Sequence, residues 1–312
     1  GRLFMAVTAN PLATDAAVEI LRAGGTAADA AIAAQLVLNL VEPQSSGLGG
    51  GGFLLYHDAR ENRLRAYDGR ETAPAAARSE RFLGDDGRPL PFFEAAVGGL
   101  SVGVPGLPAL LDLVYRNHGR TLWPKLFAPA LRLAVEGFPV SSRLHKLLAE
   151  DRFLRDDPAA RRLYYETDGR PKAVGTKIVN REFGFVLLAL AQHGTKIFYE
   201  GPVARDIVAA VRTHPKNPGD LVESDFAAYK PVEREPVCGD RLGHRVCGMP
   251  PPSSGGIAVL QALTFTEDLV GKKPLVPESA HRFAESGRLV IADRARYLAD
   301  PAALPATDVE RP

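Results

Sequence analysis

The 312-residue sequence has few cysteines and almost no excess of charge of either sign. Its two cysteines, Cys238 and Cys247, cannot form a zinc site by themselves and do not have CxxC spacing. Lysine plus arginine number 38 and aspartate plus glutamate number 37, so the formal net charge is +1. Proteins that bind nucleic acid usually carry a basic surplus or a basic stripe. We therefore expect no nucleic-acid partner.

Long apolar runs are also missing. A membrane-spanning helix needs about 20 consecutive apolar residues, and the best candidate, 27–41, is interrupted by Asp29, Gln35 and Asn39. We interpret this run as a core helix and predict no membrane span. The first residues lack the charged and apolar regions of a signal peptide, which indicates either a cytosolic protein or one whose signal has been removed.

Motifs that bind metals or activate a nucleophile are missing too. The seven histidines show no HExxH or other metal-ligand spacing. Neither Ser45-Ser46 nor Ser253-Ser254 lies in a GxSxG nucleophile elbow. No nucleophile and base stand out as a pair. We therefore expect no metal and no cofactor, and no catalytic residue can be assigned from these patterns.

What the sequence does contain is the composition of an ordinary soluble globular protein, with 46% apolar and 24% charged residues. A hairpin is predicted from Phe53–His57 and Leu64–Tyr67, turning at 59–62. Helices are predicted at Ala13–Ala23, 27 to about 41, Leu107–Asn117, Pro124–Glu136, Ser142–Glu150, Glu182–His193, Val203–Arg212, Ile257–Leu269 and Ser279–Tyr297. This order favours α+β or a layered α/β fold over a parallel βαβ series. Because a lone hairpin is marginal in water, we expect strands from another segment to complete the sheet.

The two cysteines flank a predicted tight turn. A two-residue loop at Leu242-Gly243 would pair Arg241 with His244 and, counting outward, Cys238 with Cys247. Directly opposed residues on antiparallel strands lie close enough for a disulfide. The alternative is two half-buried thiols that stay reduced, because a disulfide needs both this register and an oxidising compartment.

A glycine-rich loop, Gly47–Gly52, matches the GxGxxG expression. A dinucleotide fingerprint requires a strand before the glycines and a helix after them. Here the predicted order is reversed, so nucleotide binding is excluded. Four consecutive glycines, Gly49, Gly50, Gly51 and Gly52, favour a backbone that packs very closely or adopts positive φ. The alternative is a merely flexible connector.

Arg70 lies among carboxylates at the end of the second predicted strand, in Asp68-Gly69-Arg70-Glu71-Thr72-Ala73-Pro74. At a strand end, the planar guanidinium can hold a carboxylate ligand by two parallel hydrogen bonds. Spacing alone favours a surface ion pair of Arg70 with Asp68 or Glu71.

A proline-rich segment, Pro250-Pro251-Pro252-Ser253-Ser254-Gly255-Gly256, precedes a predicted helix. Proline fixes φ, Ser253 and Ser254 are possible N-caps, and Gly255 and Gly256 permit close approach. By itself the segment indicates a stiff loop that leads into a helix.

Together these segments resemble the large subunit of the γ-glutamyltransferase family, also called γ-glutamyltranspeptidase or glutathione hydrolase. The similar segments are Gly25–Ala31, Pro43–Phe53, the arginine motif Asp68–Pro74, and Met249–Gly256, with Asp225–Tyr229, Val232–Arg234, Ala292–Arg294, Tyr297, Leu298, Asp300 and Pro301. They extend over nearly the whole chain in the family's order, which is more specific than any one motif.

The resemblance implies an N-terminal-nucleophile hydrolase with an αββα sandwich, in which 1–312 form one domain with a helical block at about 105–230. It implies a precursor that cuts itself, so that a small subunit with an N-terminal threonine is the partner of this chain. That threonine would attack a γ-glutamyl amide such as glutathione. Arg70 would then bind the α-carboxylate of the glutamyl group, with Gly49–Gly52 and Ser253–Gly256 structural near the site. Catalytic residues would lie outside this chain, in a periplasmic or secreted enzyme.

Some features leave the function open. No Thr-Thr or Thr-Ser-His segment follows Asp300-Pro301 before Pro312. Ser45-Ser46 stands where relatives more often have other residues, a variation also found in acylases. The expected activity is γ-glutamyl hydrolysis or transfer. The alternatives are an acylase of the glutaryl-cephalosporin or poly-γ-glutamate type, or a binding protein that kept the scaffold and lost the nucleophile.

Overall fold

The computed structural model describes residues 1–274 and 276–301. Its helices are α1 (Pro11–Arg22), α2 (Ala27–Val41), α3 (Phe92–Ala96), α4 (Leu107–His118), α5 (Trp123–Glu136), α6 (Ser142–Glu150), α7 (Pro158–Tyr164), α8 (Arg181–His193), α9 (Lys196–Tyr199), α10 (Pro202–Arg212), α11 (Glu223–Ala228), α12 (Gly255–Phe265) and α13 (Pro277–Tyr297). Its strands are β1 (Gly52–Asp58), β2 (Arg63–Gly69), β3 (Phe138–Pro139), β4 (Lys177–Ile178), β5 (Val232–Arg234), β6 (Val237–Arg241) and β7 (His244–Gly248).

The described residues form two compact units. The first contains Gly1–Gly52 and Gly69–Pro231, and the second contains Phe53–Asp68 and the described residues after Pro231. The predicted helical block at about 105–230 lies in the first unit. That 1–312 behave as a single domain remains a prediction.

In the first unit, α1 and α2 form a helix pair. α1 ends before Gly24, which has a φ of 88°. Thr26 then forms a capping box with Asp29, because its side chain accepts from Asp29 N and the Asp29 side chain accepts from Thr26 N. The fully buried Asp29 also accepts hydrogen bonds from the backbone N–H groups of Arg120 and Thr121. A carboxylate can therefore lie in the interior here because its oxygens are bonded.

Further helices of the first unit pack in succession from this pair. α2 packs on α1, α4 and α5, and α5 packs on α8. Fully buried side chains at these contacts include Ile32, Leu36, Leu126, Phe127 and Leu187. The predicted helices are confirmed with ends that differ by two residues or fewer for those before 213. Sequence reasoning missed the short helices α3, α7, α9 and α11, which have 4 to 7 residues each.

The second unit contains a three-stranded sheet in the order β1-β2-β5. The predicted hairpin is confirmed as β1 and β2. Its third strand, β5, pairs antiparallel with β2, so that Tyr67 lies opposite Glu233. Part of the expected completion of the sheet therefore comes from this same chain.

The hairpin β6–β7 has the predicted register. Arg241 lies opposite His244 and Cys238 opposite Cys247, and Leu242 and Gly243 at the turn both have positive φ. The two cysteines are joined by a disulfide, and their Cα atoms are 4.1 Å apart. α12 packs on both strands of this hairpin and on α13.

We predict that the disulfide adds local stability without being needed for activity. The sequence separation of the two cysteines is 9, and crosslinking so short a loop constrains the unfolded chain by about 2–3 kcal/mol. The double substitution Cys238→Ser with Cys247→Ser should lower the free energy of unfolding by no more than this amount. Alkylation and mass analysis of the unreduced wild-type protein should find no free thiol. Two alkylated cysteines would contradict the assignment.

No helix among residues 1–274 and 276–301 is both long enough and apolar enough to cross a membrane.

Candidate functional site

Arg70 lies directly after β2, on the wall of an open cavity in the first unit. The cavity has a volume of about 500 Å³, within the size range of small-molecule sites. Its lining consists of the loop after β2, one residue of the glycine loop and two segments from further along the chain, namely Arg70–Pro74, Gly49, Arg81, Phe82 and Leu100–Gly103. The side chain of Arg70 is exposed.

The glycine loop fixes one side of the Arg70 segment. The carbonyl of Gly50 accepts hydrogen bonds from Gly106 N at 2.9 Å and Leu107 N at 3.0 Å, which attaches the loop to the start of α4. A Cβ atom on Gly51 would lie 2.5 Å from the carbonyl oxygen of Gly69 and 2.9 Å from Arg70 Cα. Gly51 therefore allows a backbone approach that any side chain would prevent.

The four glycines are not equivalent. None of the glycines in this described loop adopts a positive φ. A Cβ on Gly49 would meet no heavy atom within 4 Å, and one on Gly52 would make ordinary contacts with α4 at 3.5 Å or more. Of the two reasons that the sequence suggested, close approach applies, and it applies most strongly to Gly51.

A second segment, Gly103–Leu107, fixes the other side. Val104 N donates to the carbonyl of Thr72 at 2.8 Å, and Thr72 N donates back at 3.3 Å. A Cβ on Gly106 would overlap the carbonyl oxygen of Gly69 and the hydroxyl of Tyr229. The Arg70 segment is thus held between two backbone segments that both approach it through glycine.

A second arginine, Arg81, lines the same cavity. Its Nε donates to the carbonyl of Leu100 at 2.8 Å, and its Nη1 lies 2.7 Å from a carboxylate oxygen of Asp220. The side chain of Arg81 is only 9% exposed, while that of Arg70 faces solvent. Arg81 therefore belongs to an ion pair in the wall, whereas Arg70 lies at the exposed surface of the cavity.

The carboxylates beside Arg70 have separate environments. In the second unit, Asp68 is buried and its Oδ2 accepts from Arg234 Nε at 2.8 Å. Glu71 is exposed, and its Oε2 would lie 2.8 Å from a Cβ on Gly51. A side chain at Gly51 would therefore disturb Glu71 as well as the backbone of Arg70.

The proline-rich segment lies in the second unit, where it joins β7 to α12. Ser253 Oγ accepts from Gly255 N at 3.2 Å, and Ser254 Oγ accepts from Arg294 Nε at 3.1 Å. A Cβ on Gly256 would lie 2.5 Å from the carbonyl oxygen of Met249. Ser254, the N-cap residue of α12, makes no side-chain cap bond, whereas Ser253 bonds the first N–H group of the helix. The segment packs the start of α12 closely against the hairpin.

Metal-binding groups do not gather at the cavity. Among residues 1–274 and 276–301, no group of three or more His, Cys, Asp and Glu side chains is arranged to hold a metal ion.

Comparison with known families identifies the family of this chain. A family model described as gamma-glutamyltranspeptidase matches residues 13–311. The chain belongs to the γ-glutamyltranspeptidase family. The match includes the glycine loop, the arginine motif and the proline-rich segment, so the resemblance of the sequence is confirmed.

Two curated members of the γ-glutamyltranspeptidase family illustrate the relationship. The glutathione hydrolase proenzyme of Bacillus subtilis (strain 168) is 34% identical over 303 residues, which are 96% of this chain and 51% of that protein. The glutathione hydrolase proenzyme of Escherichia coli (strain K12) is 35% identical over 301 residues, which are 95% of this chain and 51% of that protein. The chain therefore spans about half the length of the curated relatives it matches.

Solved structures agree with the predicted fold class. Helicobacter pylori γ-glutamyltranspeptidase superposes with a TM-score of 0.92 at 30% identity, covering 97% of this chain and 86% of that chain. A cephalosporin acylase from Bacillus halodurans superposes with a TM-score of 0.79 at 27% identity, covering 95% of this chain and 55% of that chain. The chain has the N-terminal-nucleophile hydrolase fold of the γ-glutamyltranspeptidases, as the resemblance implied.

The predicted site residues of this γ-glutamyltranspeptidase chain fall into two groups. Arg70 and the glycine loop lie together in the first unit, whereas Ser253–Gly256 lie in the second. Sequence reasoning assigned no role to Arg81, Asp225 or Tyr229. For Tyr229 a signal was present, because Asp225–Tyr229 was among the segments similar to the family. Arg81 carries no comparable signal.

Proposed function

We propose that this chain is the substrate-binding part of an enzyme that hydrolyses γ-glutamyl amides such as glutathione, or transfers the γ-glutamyl group to amino acids or peptides. The observation that carries the proposal is Arg70, an accessible cation on a cavity wall, in a segment fixed by Gly51 and by Val104. A fixed guanidinium can bind the α-carboxylate of a glutamyl group through two parallel hydrogen bonds.

The nucleophile, in this proposal, is an N-terminal threonine on a second chain cut from the same precursor. The relatives named above are called proenzymes, and this chain corresponds to about half of each. The α-amino group of such a threonine can act as the base that activates its own hydroxyl. Attack on the γ-carbonyl would form an ester with the glutamyl group and release the amine. Water or an amino acid would then release the γ-glutamyl group.

Within this scheme, Arg70 orients the donor. Holding the α-carboxylate fixes one end of the glutamyl group, so that the γ-carbonyl at the other end is presented to the nucleophile. Such positioning accelerates a reaction by converting an encounter between two molecules into a step within one complex. No metal or redox group has a part in this scheme.

We further propose that the enzyme works in the periplasm or is secreted. The Cys238–Cys247 disulfide supports this location, because structural disulfides persist mainly in oxidising compartments.

An acylase is the second candidate. Its support is the similarity to the cephalosporin acylase from Bacillus halodurans, which is lower in identity than the similarity to the glutathione hydrolases. γ-Glutamyl anilide and glutaryl anilide share the terminal carboxylate and differ only in the α-amino group, so the preference between them separates the two candidates. A γ-glutamyl enzyme should prefer γ-glutamyl anilide over glutaryl anilide, and an acylase of the glutaryl type should show the opposite preference. A binding protein without a nucleophile should hydrolyse neither.

The experiment that tests the proposal compares residues 1–312 alone with the full-length precursor. The precursor should cut itself and hydrolyse γ-glutamyl anilide, whereas residues 1–312 alone should aggregate or melt without cooperativity. Large apolar side chains of the first unit are open to solvent at Leu3 (93% exposed), Met5 (75%) and Val7 (82%). Phe283 (69%) and Ile291 (60%) are similarly exposed on α13 in the second unit. Exposed apolar side chains in such number mark surfaces that another segment covers.

A threonine variant completes this test. Changing the threonine at the cut to alanine should leave a folded, uncut precursor, because the same hydroxyl performs the cut and the attack on substrate. A variant that still splits into two chains would contradict the mechanism. A soluble, cooperatively melting and active preparation of residues 1–312 would contradict the division of labour between two chains.

A further inference from the structure

Two polar side chains, those of Asp225 and Tyr229, bond the two ends of the loop 70–75, which contains Arg70. The hydroxyl of Tyr229 donates to the carbonyl oxygen of Arg70 at 2.8 Å, at the start of the loop. At its end, Ala75 N donates to Asp225 Oδ1 at 3.0 Å. Asp225 lies within α11 and Tyr229 directly follows that helix, so the two side chains are about one helical turn apart.

Tyr229 is itself held in place by a second tyrosine. Its ring stacks on that of Tyr199, with ring centres 5.7 Å apart and planes 8° from parallel. The hydroxyl of Tyr199 donates to the carbonyl of Pro105 at 2.8 Å and accepts from Ala109 N at 3.2 Å. Burial raises the pKa of Tyr199, which keeps this phenol protonated and able to donate. The stack thereby joins Tyr229 to the start of α4.

Asp225 is fixed within its own segment. Its Oδ2 accepts from Val222 N at 3.0 Å, at the start of α11. The next residue, Phe226, is fully buried and anchors α11 in the core of the first unit. The support under the loop is therefore rigid at both of its contacts.

We infer that Tyr229 and Asp225 are positioning residues that set the orientation of Arg70 and thereby the selectivity for donors with a free α-carboxylate. The inference rests on the proposed function of Arg70. A bidentate contact depends on the placement of the whole guanidinium group, so a small shift of the Arg70 backbone weakens it. Neither Tyr229 nor Asp225 needs to touch the substrate for this effect.

The test replaces Tyr229 by phenylalanine in the full-length protein, which keeps the ring stack and removes the hydroxyl. Losing one hydrogen bond from the support of Arg70 should lower kcat/KM for γ-glutamyl anilide by about 3- to 10-fold. The change should lie mainly in KM. For the same anilide with its α-carboxylate converted to a neutral amide, the variant and the wild type should have kcat/KM values within about 2-fold of each other. A general loss of structure would lower kcat/KM for both substrates.

A double substitution tests whether the effect of Tyr229→Phe on kcat/KM depends on Arg70. With Arg70 already changed to glutamine, Tyr229→Phe should have no further effect beyond about 2-fold, because its consequence passes through the lost contact. The matched control is Tyr165→Phe, which removes another tyrosine hydroxyl that donates to a backbone carbonyl, that of Leu148 at 3.1 Å. This control should alter stability without altering the preference for the α-carboxylate.

Asp225→Asn provides a second variant in case Tyr229→Phe folds poorly. An asparagine retains one acceptor oxygen where the aspartate bonds two N–H groups, so the same selective loss is expected at a smaller size. Equal losses on both anilides, or additive effects of Tyr229→Phe and Arg70→Gln, would overturn the inference while leaving the proposed function intact. A wild-type protein that does not hydrolyse γ-glutamyl anilide would overturn the proposed function and this inference with it.

Discussion

Replacing Arg70 by lysine is expected to lower kcat/KM for γ-glutamyl anilide by about 30-fold or more in the full-length protein. Truncating one partner of a hydrogen-bonded charge pair costs about 2–5 kcal/mol, and each 1.4 kcal/mol is a factor of ten. Lysine keeps the charge but cannot reproduce the planar fork that binds both carboxylate oxygens. Steady-state kinetics of the purified variant provide the measurement.

A matched substitution elsewhere separates this effect from loss of an arginine in general. Arg132 on α5 makes an ion pair with Glu19 at 2.9 Å, with both side chains about half exposed. Exposed pairs of this kind contribute about 0–1 kcal/mol, so Arg132→Lys should leave kcat/KM within about 2-fold of wild type. If Arg70→Lys behaves like Arg132→Lys, the role of Arg70 in binding the α-carboxylate is wrong. In that case the surface ion-pair interpretation of Arg70 is favoured.

Features that depend on neighbouring residues could be predicted from the sequence. The capping box at Thr26 needs only Asp29, three residues later. The pairing of Cys238 with Cys247 follows from a two-residue turn and from counting outward along two strands. In both cases the interacting groups are close in sequence, so local conformation determines which atoms meet.

Contacts between distant segments could not be predicted in this way. β5 pairs with β2 across more than 160 residues, since Ala66 lies opposite Arg234. Asp225 reaches Ala75 N across 150 residues. Side-chain periodicity shows that a face is buried without showing which distant segment covers it. Arg70 itself was found through resemblance to a family, since its spacing alone favoured a surface ion pair.

In the glycine loop, one property could be predicted from the sequence and another depends on distant contacts. The run of glycines predicts close packing or positive φ, but it does not tell which glycine is needed or which atoms approach it. Both answers come from the segment after β2, because Gly69, Arg70 and Glu71 all lie within 3 Å of a Cβ placed on Gly51. Changing each of the four glycines to alanine is therefore expected to have a different effect.

Gly51→Ala is expected to reduce both stability and activity. Its φ is not positive, so alanine can adopt the backbone, and the conflict is one of space. A Cβ would lie 2.5 Å from the carbonyl oxygen of Gly69 and 2.8 Å from Glu71 Oε2. Overpacking of this kind costs about 1–3 kcal/mol, and the backbone of Arg70 must move to relieve it. A displacement of about 1 Å at a positioning group can cost about 100-fold in rate.

The stability control is Gly49→Ala, two residues earlier in the same loop, where a Cβ would meet nothing within 4 Å. Alanine restricts the unfolded chain more than glycine does, so this variant should melt at or slightly above the wild-type temperature. The two variants differ in the space around the added Cβ atom, so the difference between their melting temperatures measures the effect of that crowding. If Gly51→Ala melts like Gly49→Ala and keeps wild-type kcat/KM, the loop does not fix Arg70. If Gly51→Ala loses rate on γ-glutamyl anilide but not on its neutral α-amide, the displaced group is Arg70.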